Sequence, residues 1–184
     1  MIVTVAALRT ELLFVPRPRL RVGVGAGAPG RLARWLDQHR PGGVVIVGFC
    51  GGTRATFRPG DLILADTLTA GEEEVPVSPA LLTRAGEVFP AVHVGPVATV
   101  DAPADPGDKA RLGVDALAVD MESAHLAREL TARAIPFLVV RVVLDALWEN
   151  VSAGPHLRWA GRAVGCARRL GQAAAALRPI LEGA

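Results

Sequence analysis

The fold is decided by one stretch of the sequence, Val44-Val45-Ile46-Val47-Gly48-Phe49, which runs directly into Cys50-Gly51-Gly52. A continuous apolar run rich in β-branched residues is typical of a strand that is buried on both faces of a parallel sheet. The glycines that follow predict a tight turn where the strand ends. Pro136–Val143 has the same character and is interrupted only by Arg141. We therefore expect both segments to be central strands.

Strand-like and helix-like segments alternate outward from these two runs. Further strands are predicted at Ile2–Ala6, Leu20–Val24, Asp61–Ala65, Val92–Val100 and Ala116–Val119. Helices are predicted at Glu11–Val15, Arg31–His39, Ala80–Glu87, Glu122–Arg133 and from about Pro155 to Leu177. Thr67–Pro79 and the turn-rich Asp101–Asp108 are expected to be loops. This order predicts a single three-layer α/β domain over residues 1–184, with a mixed, largely parallel central sheet flanked by helices.

The composition argues against several classes of protein. Apolar residues make up 51% of the chain and the formal net charge is only +2, so no strong charge favours nucleic acid or an anionic membrane as a partner. The two cysteines are far apart and the four histidines lack ligand spacing, so we expect neither a disulfide framework nor a metal site. The N-terminus does not resemble a signal peptide, and no apolar run approaches the ~20 residues of a membrane span. We expect a soluble, cytoplasmic protein.

Three carboxylates, Glu11, Glu122 and Asp145, follow predicted strands. Ligands of open parallel sheets bind at the carboxyl ends of strands, so these positions are where chemistry is expected. Each acid also has a local explanation. Glu11 and Glu122 would lie in the first turn of a helix, where the dipole favours negative charge, and Asp145 could cap a turn. Three acids at one edge of a sheet favour a catalytic site over three separate local roles.

A glycine-rich segment, Gly25-Ala26-Gly27-Ala28-Pro29-Gly30, separates a predicted strand from a predicted helix. It matches the GxGxxG pattern of dinucleotide-binding proteins. That pattern needs an acid at the end of the next strand to hold the ribose, and the next strand here ends in Phe49-Cys50-Gly51. We therefore predict no nicotinamide or flavin cofactor. The glycines could instead form a tight turn or present N–H groups to an anion.

Together these motifs resemble the nucleoside phosphorylase/nucleosidase superfamily, in particular its 5′-methylthioadenosine/S-adenosylhomocysteine nucleosidase branch. The resemblance runs from Val3 to about Asp145. It is carried by Ala6–Glu11, Gly23–Gly27, Val47–Gly52, Arg58–Ile63 and, most specifically, by Val119-Asp120-Met121-Glu122-Ser123-Ala124, then Ile135–Arg141 and Asp145. Asp66–Pro79 and Asp101–Asp108 are shorter than in typical members. Shortened relatives include futalosine hydrolases and the phosphorylase-like proteins of hopanoid synthesis.

The resemblance implies a role for each matching residue. Glu11 would orient and deprotonate the attacking water, and Asp145 would hydrogen-bond or protonate N7 of the purine. Glu122 would bind the ribose hydroxyls, with Met121 packed against the sugar. The resemblance also implies that a turn at the end of the central strand lines the binding site, through Phe49, Cys50 and Gly51.

The resemblance implies an aromatic surface for the base in the segment 101–108, which holds prolines and aspartates instead. Trp148 lies just past Asp145 and could supply that surface as a substrate-binding residue. It could equally pack a loop onto the domain.

The sequence leaves hydrolysis and phosphorolysis open. A phosphorylase needs an anion site, for which Gly25, Gly27 and Arg54 are candidates, whereas Glu11 favours water because a carboxylate repels phosphate. We predict an N-glycosyl hydrolase (a nucleosidase) that cleaves a purine nucleoside of the 5′-substituted adenosine or futalosine type and uses no cofactor. Inorganic phosphate would be a co-substrate if the protein is a phosphorylase. A catalytically silent nucleoside-binding homologue is the alternative of another class, and the resemblance implies a homodimer.

Overall fold

The computed structural model describes residues 1–89, 91–151 and 156–183. In this part of the chain, eight strands form one mixed sheet. The strands are β1 (Ile2–Ala6), β2 (Arg19–Arg21), β3 (Gly43–Gly52), β4 (Leu62–Ala70), β5 (Glu73–Pro76), β6 (His93–Thr99), β7 (Ala118–Asp120) and β8 (Phe137–Asp145). Their order in the sheet is β2-β1-β3-β7-β6-β4-β5, and β8 pairs with both β3 and β4. The strands β3, β7, β6, β4 and β8 therefore close into a ring.

Helices pack around this sheet. They are α1 (Ala28–Gln38), α2 (Pro79–Val88), α3 (Pro106–Leu112), α4 (Ser123–Thr131) and α5 (His156–Glu182). The helix α5 packs on β3 and β8, whereas α4 packs on β4 and β6 and against α1. The predicted α/β domain with a mixed sheet flanked by helices is thus confirmed. The predicted start of the last helix at Pro155 lies outside the described residues.

The two apolar runs are central strands, as predicted. Ile46 of β3 pairs with Val5 of β1 on one side and with Val139 of β8 on the other, and all three are fully buried. The predicted tight turn at Cys50–Gly52 is wrong, because β3 continues through Gly52. After a shift of register behind Cys50, Gly51 of β3 still pairs with Asp145 of β8, and Gly51 and Gly52 also pair antiparallel with β7.

The predicted loop at Thr67–Pro79 is wrong over most of its length. The strand β4 extends to Ala70 and pairs antiparallel with β5. Leu68 faces Val75 across this pair, and both side chains are buried. Glu73 and Glu74 occupy exposed positions of β5, where charge protects the edge of a sheet from further pairing.

The predicted loop at Asp101–Asp108 is also corrected, because α3 begins inside it at Pro106. The Asp105 carboxylate accepts the N–H of Asp108 at 2.8 Å, and the Asp108 carboxylate lies 3.5 Å from the N–H of Asp105. Proline at the first helical position completes this helix start. The Asp-Pro-Gly-Asp sequence is thus a cap rather than a turn, and it leads α3 towards the ends of the strands.

Candidate active site

One cavity of about 240 Å³ lies at the carboxyl ends of β1, β3, β7 and β8. Glu11, Glu122 and Asp145 all line it, and each is less than 8% exposed. Glu11 follows β1 in a 3₁₀ turn, Glu122 follows β7 at the start of α4, and Asp145 is the last residue of β8. The structure thus brings together the three acids that the sequence pattern singled out.

The carboxylate of Glu11 is fixed by two backbone groups. Its Oε1 accepts the N–H of Phe49 at 2.8 Å, and its Oε2 accepts the N–H of Leu8 at 2.7 Å. Burial raises the pKa of Glu11 from 4.5 to about 7, against the opposing charge of Arg141 and the two N–H groups. A carboxyl with this pKa can exchange a proton near neutral pH, as a general base must.

The start of α4 is held by a buried polar network behind the cavity. Asp120 Oδ1 accepts the N–H groups of Glu122 and Ser123, both at 3.2 Å, and the Thr99 hydroxyl at 2.8 Å. Asp120 Oδ2 forms an ion pair with Arg141 Nε at 2.7 Å. Arg141 also donates from Nη2 to Ser123 Oγ at 2.6 Å. These contacts fix the backbone that carries Glu122.

The Glu122 side chain points towards Gly25 and not towards the helix that it precedes. It makes no capping hydrogen bond to α4, and its Oε1 lies 3.4 Å from the N–H of Gly25. Burial raises the pKa of Glu122, and the charge of Arg141 opposes that rise. The helix dipole favours a negative charge at this position, but no capping hydrogen bond directs the carboxylate, which lies beside Gly25 instead.

Arg141 lies beneath two of the three acids without lining the cavity. Its side chain is 1% exposed, and it passes so close to Gly48 that a Cβ there would lie 1.7 Å from Nη1. The same Cβ would lie 3.1 Å from Glu11 Oε1, so guanidinium and carboxylate both crowd this glycine. Sequence reasoning assigned no role to Arg141. The available signal was a lone charge inside an otherwise apolar strand.

Asp145 has a buried partner that sequence reasoning missed. Lys109, on α3, is 1% exposed and forms an ion pair with Asp145 Oδ2 through its Nζ. Burial raises the pKa of Asp145, whereas the hydrogen bond and the charge of Lys109 oppose the rise. Burial thus favours the protonated form of Asp145, and the ion pair with Lys109 limits this effect.

Most of the other predicted binding residues border the same cavity, namely Phe49, Cys50, Gly51 and Met121. Trp148 does not. Its side chain is 71% exposed and is not part of the cavity wall, because the turn that follows β8 carries it towards solvent. The structure therefore offers no contact between Trp148 and a base bound beside Asp145.

The three candidates for an anion site do not come together. The N–H of Gly25 points to the Glu122 carboxylate. The Arg31 side chain fills the space beside Gly27, where a Cβ would lie 2.6 Å from Nη1. Arg54 lines neither this cavity nor the adjoining one. The glycine segment thus binds the protein's own side chains.

A second cavity of about 420 Å³ shares Met121 with the first. Its wall is formed by Gly25, Ala26, Pro29, Asp101, Met121, His125 and Arg128.

Among the residues that the structure describes, no cluster of three or more His, Cys, Asp or Glu side chains could hold a metal ion. None of the helices in that part of the chain has the length and apolarity of a membrane span.

The chain is similar to known proteins in sequence and in fold. Residues 20–177 match the family model described as the phosphorylase superfamily. No curated protein sequence matches the chain. Similar solved structures include the 5′-methylthioadenosine/S-adenosylhomocysteine nucleosidase of Streptococcus pneumoniae with a transition-state inhibitor, at 18% identity and a TM-score of 0.84, covering 98% of this chain and 99% of that one.

Two further structures have the same fold. A putative nucleosidase of the same kind from Borrelia burgdorferi, bound to adenine, has 16% identity and a TM-score of 0.83, with 96% of this chain and 98% of that chain covered. A futalosine hydrolase mutant of Helicobacter pylori has 16% identity and a TM-score of 0.83, with 96% and 97% covered.

Proposed function

We propose that this chain, which belongs to the phosphorylase superfamily, cleaves the N-glycosidic bond of a purine nucleoside by hydrolysis. One observation carries the proposal: Glu11, Glu122 and Asp145 line a single cavity. The similar structures of a nucleosidase and of a futalosine hydrolase are compatible with this chemistry.

The reaction explains why three acids are needed. Breaking the C1′–N9 bond leaves positive charge on the ribose and negative charge on the purine. A carboxylate beside the sugar stabilises the first charge, which is the role we assign to Glu122. An acid beside the base neutralises the second by giving a proton to N7, which is the role of Asp145. A positioned acid of this kind typically contributes about 10²–10⁴-fold in rate.

Glu11 is the proposed general base for water. Its two backbone hydrogen bonds fix its orientation, and each of its oxygens keeps a lone pair for a water molecule. With a pKa of about 7, its ionised form takes a proton readily at neutral pH. The measured kcat/KM is therefore expected to fall as the pH drops below about 7, because Glu11 becomes protonated.

Hydrolysis is favoured over phosphorolysis by the charges around the cavity. The described wall of the 240 Å³ cavity contains the acids Glu11, Asp120, Glu122 and Asp145 and neither lysine nor arginine. This negative charge repels phosphate but does not repel neutral water. The N–H of Gly25, one candidate group for an anion site, lies beside the Glu122 carboxylate, which supports the same choice.

The substrate we propose is a nucleoside with a substituent on its 5′ carbon, of the adenosine or futalosine type. The cavity that holds the three acids opens beside a second cavity of about 420 Å³, and Met121 borders both. A sugar packed on Met121 could extend a substituent into that second space.

The test is an assay of the purified protein with 5′-methylthioadenosine, adenosine, inosine and futalosine, with and without phosphate. We expect free base in at least one reaction without phosphate. Base that appears only with phosphate would identify a phosphorylase instead. Binding of a nucleoside without any base release would identify a silent homologue and overturn the proposal.

A matched pair of variants separates a specific defect from a general one. Glu122→Gln should remove most turnover, because the amide cannot stabilise the ribosyl cation. Glu87→Gln makes the same exchange on the exposed face of α2 and should leave turnover unchanged. Equal rates for the two variants would contradict the role of Glu122.

A further inference from the structure

The chain contains 20 basic residues (lysine plus arginine), and only one of them is a lysine, Lys109. That lysine is among the most deeply buried side chains, with 1% of its surface exposed. An arginine keeps its proton under all conditions met in proteins, whereas a lysine can release one. The single lysine thus stands at the one buried basic position that contacts Asp145.

The number of hydrogen-bond acceptors around Lys109 indicates that its amine is charged. Its Nζ contacts three acceptors: Oδ2 of Asp145, the carbonyl of Ala146 at 3.0 Å and the carbonyl of Glu149 at 2.6 Å. An ammonium group has three N–H donors and satisfies all three acceptors, whereas a neutral amine has only two. The resting pair is therefore an ammonium beside a carboxylate.

Gly51 makes this pair possible. A Cβ at Gly51 would lie 2.8 Å from Lys109 Cε and 3.4 Å from Asp145 Oδ2. The lysine stem thus crosses β3 where that strand has no side chain. It reaches Asp145 from behind and is not part of the cavity wall, so it can act on a bound substrate only through Asp145.

We propose that Lys109 is a positioning residue that stores the proton which Asp145 passes to the departing purine. The inference rests on the proposed function, because it assumes that Asp145 faces the base. In the resting ion pair Asp145 is a carboxylate, so it has no proton of its own to give at the moment of bond cleavage. Lys109 supplies one across a single hydrogen bond.

The proton transfers balance. An Nζ–H bond of Lys109 breaks and an O–H bond forms on Asp145, which leaves a neutral amine and a carboxyl group. The carboxyl then gives that proton to N7 as the C1′–N9 bond breaks and its electron pair moves to the purine. Water adds to C1′ and its proton goes to Glu11. Exchange with solvent after product release recharges Lys109 and discharges Glu11.

Three variants test the inference against purine nucleosides. Lys109→Met keeps an unbranched stem without the proton, and we expect kcat to fall about 10²-fold while KM changes less than about threefold. Lys109→Arg keeps the charge but holds its proton, so it should not restore kcat. The control is Arg111→Met, which removes a 71% exposed cation from the same helix and should behave as the native protein. Full rescue by arginine would overturn the inference.

A substrate that needs no proton separates this role from a structural one. The 4-nitrophenyl β-riboside releases a stable phenolate, so its cleavage does not depend on a proton from Asp145. Lys109→Met should cleave it at a rate within about threefold of the native protein. An equal loss on the riboside and on the nucleoside would mean that the variant has a damaged site, which would overturn the inference.

A spectroscopic measurement works without any turnover. In protein labelled with ¹³C-lysine, Lys109 gives the only Cε signal, and that signal reports the state of the amine. We expect it to move in Asp145→Asn and to stay in place in Asp115→Asn, an exposed control. An unmoved signal overturns the inference. A signal that moves in a protein that releases no base would overturn the proposed function but support the coupling of Lys109 and Asp145.

Discussion

The proposed function assigns one end of the cavity to the sugar (the sugar end, at Glu11 and Glu122) and the other to the base (the base end, at Asp145). The two ends are built on the same plan with different cations. At the sugar end, Arg141 lies behind Glu11 and Glu122 and also binds Asp120 and Ser123. At the base end, Lys109 lies behind Asp145. Both cations are 1% exposed and neither reaches the cavity. In the proposed mechanism, the permanent charge of Arg141 holds carboxylates in place, and the proton of Lys109 goes to the leaving group through Asp145.

The largest expected effect is at the base end. Asp145→Asn removes the group that we propose protonates the purine, so kcat should fall by about 10²–10⁴-fold. The amide oxygen can still accept a hydrogen bond from Lys109, so the protein should remain folded. Steady-state kinetics at 20 °C and circular dichroism measure the two outcomes. Asp115→Asn is the control, and a turnover equal to the control would refute the role of Asp145.

Loss of the cation at the sugar end should reduce the stability of the protein rather than the proton transfer. Arg141→Met leaves the buried carboxylate of Asp120 without its partner, which typically costs about 3–5 kcal/mol of stability. Urea denaturation of this variant and of the exposed Arg111→Met variant checks the value. A loss below 1 kcal/mol would show that Arg141 is not what holds this end together.

The raised pKa of Glu11 predicts an unusual dependence of stability on pH. The folded chain keeps the Glu11 proton up to about pH 7, whereas the unfolded chain loses it near 4.5. The folded state therefore binds more protons between these values, so the free energy of unfolding should fall by about 3 kcal/mol as the pH rises from 4.5 to 7. Glu11→Gln should reduce this slope to the part that comes from Glu122 and Asp145, whose pKa values burial also raises, and Glu87→Gln should keep the full slope. Identical slopes in all three proteins would contradict the pKa of Glu11.

The smallest expected effect tests how closely Arg141 packs against Gly48 behind the sugar end. Gly48→Ala places a methyl group 1.7 Å from the present position of Arg141 Nη1, and such overpacking typically costs about 1–3 kcal/mol. Gly86→Ala is the control, because a Cβ there has no atom within 4 Å and alanine favours a helix. Thermal denaturation should show opposite shifts for the two variants. A neutral Gly48→Ala would mean that Arg141 has room to move.

The parts of the fold that the sequence predicts are those with a local signal. The strands β3 and β8 follow from long apolar runs, and the three acids follow from their places after strands. The hairpin of β4 and β5 was hidden because Leu68 and Val75 are separated by acidic residues that indicate a surface loop. Its stability comes from pairing across the hairpin, which a window along the chain does not reveal.

The cations behind the cavity could not be located from local patterns. Lys109 and Asp145 are 36 residues apart, and only the path of α3 across Gly51 brings them together. Arg141 gave a weak signal as a charge in a buried strand, but its partner Asp120 lies in another strand. The residue types can be read from the sequence, but which of them pair depends on how the strands close into a ring.

The strand β8 carries both Arg141 and Asp145, and this has a consequence for how the protein can change over evolution. Four residues of extended chain measure about 13 Å, which sets the scale of the separation between Arg141 and Asp145. Within this segment the pairing with β3 shifts register between Cys50 and Gly51 and skips Leu144, while β4 pairs with Arg141 and Val142. An insertion or deletion between Arg141 and Asp145 would change their separation and the register with β3. Variation in substrate is therefore expected in the surrounding loops, while the length of this segment stays constant.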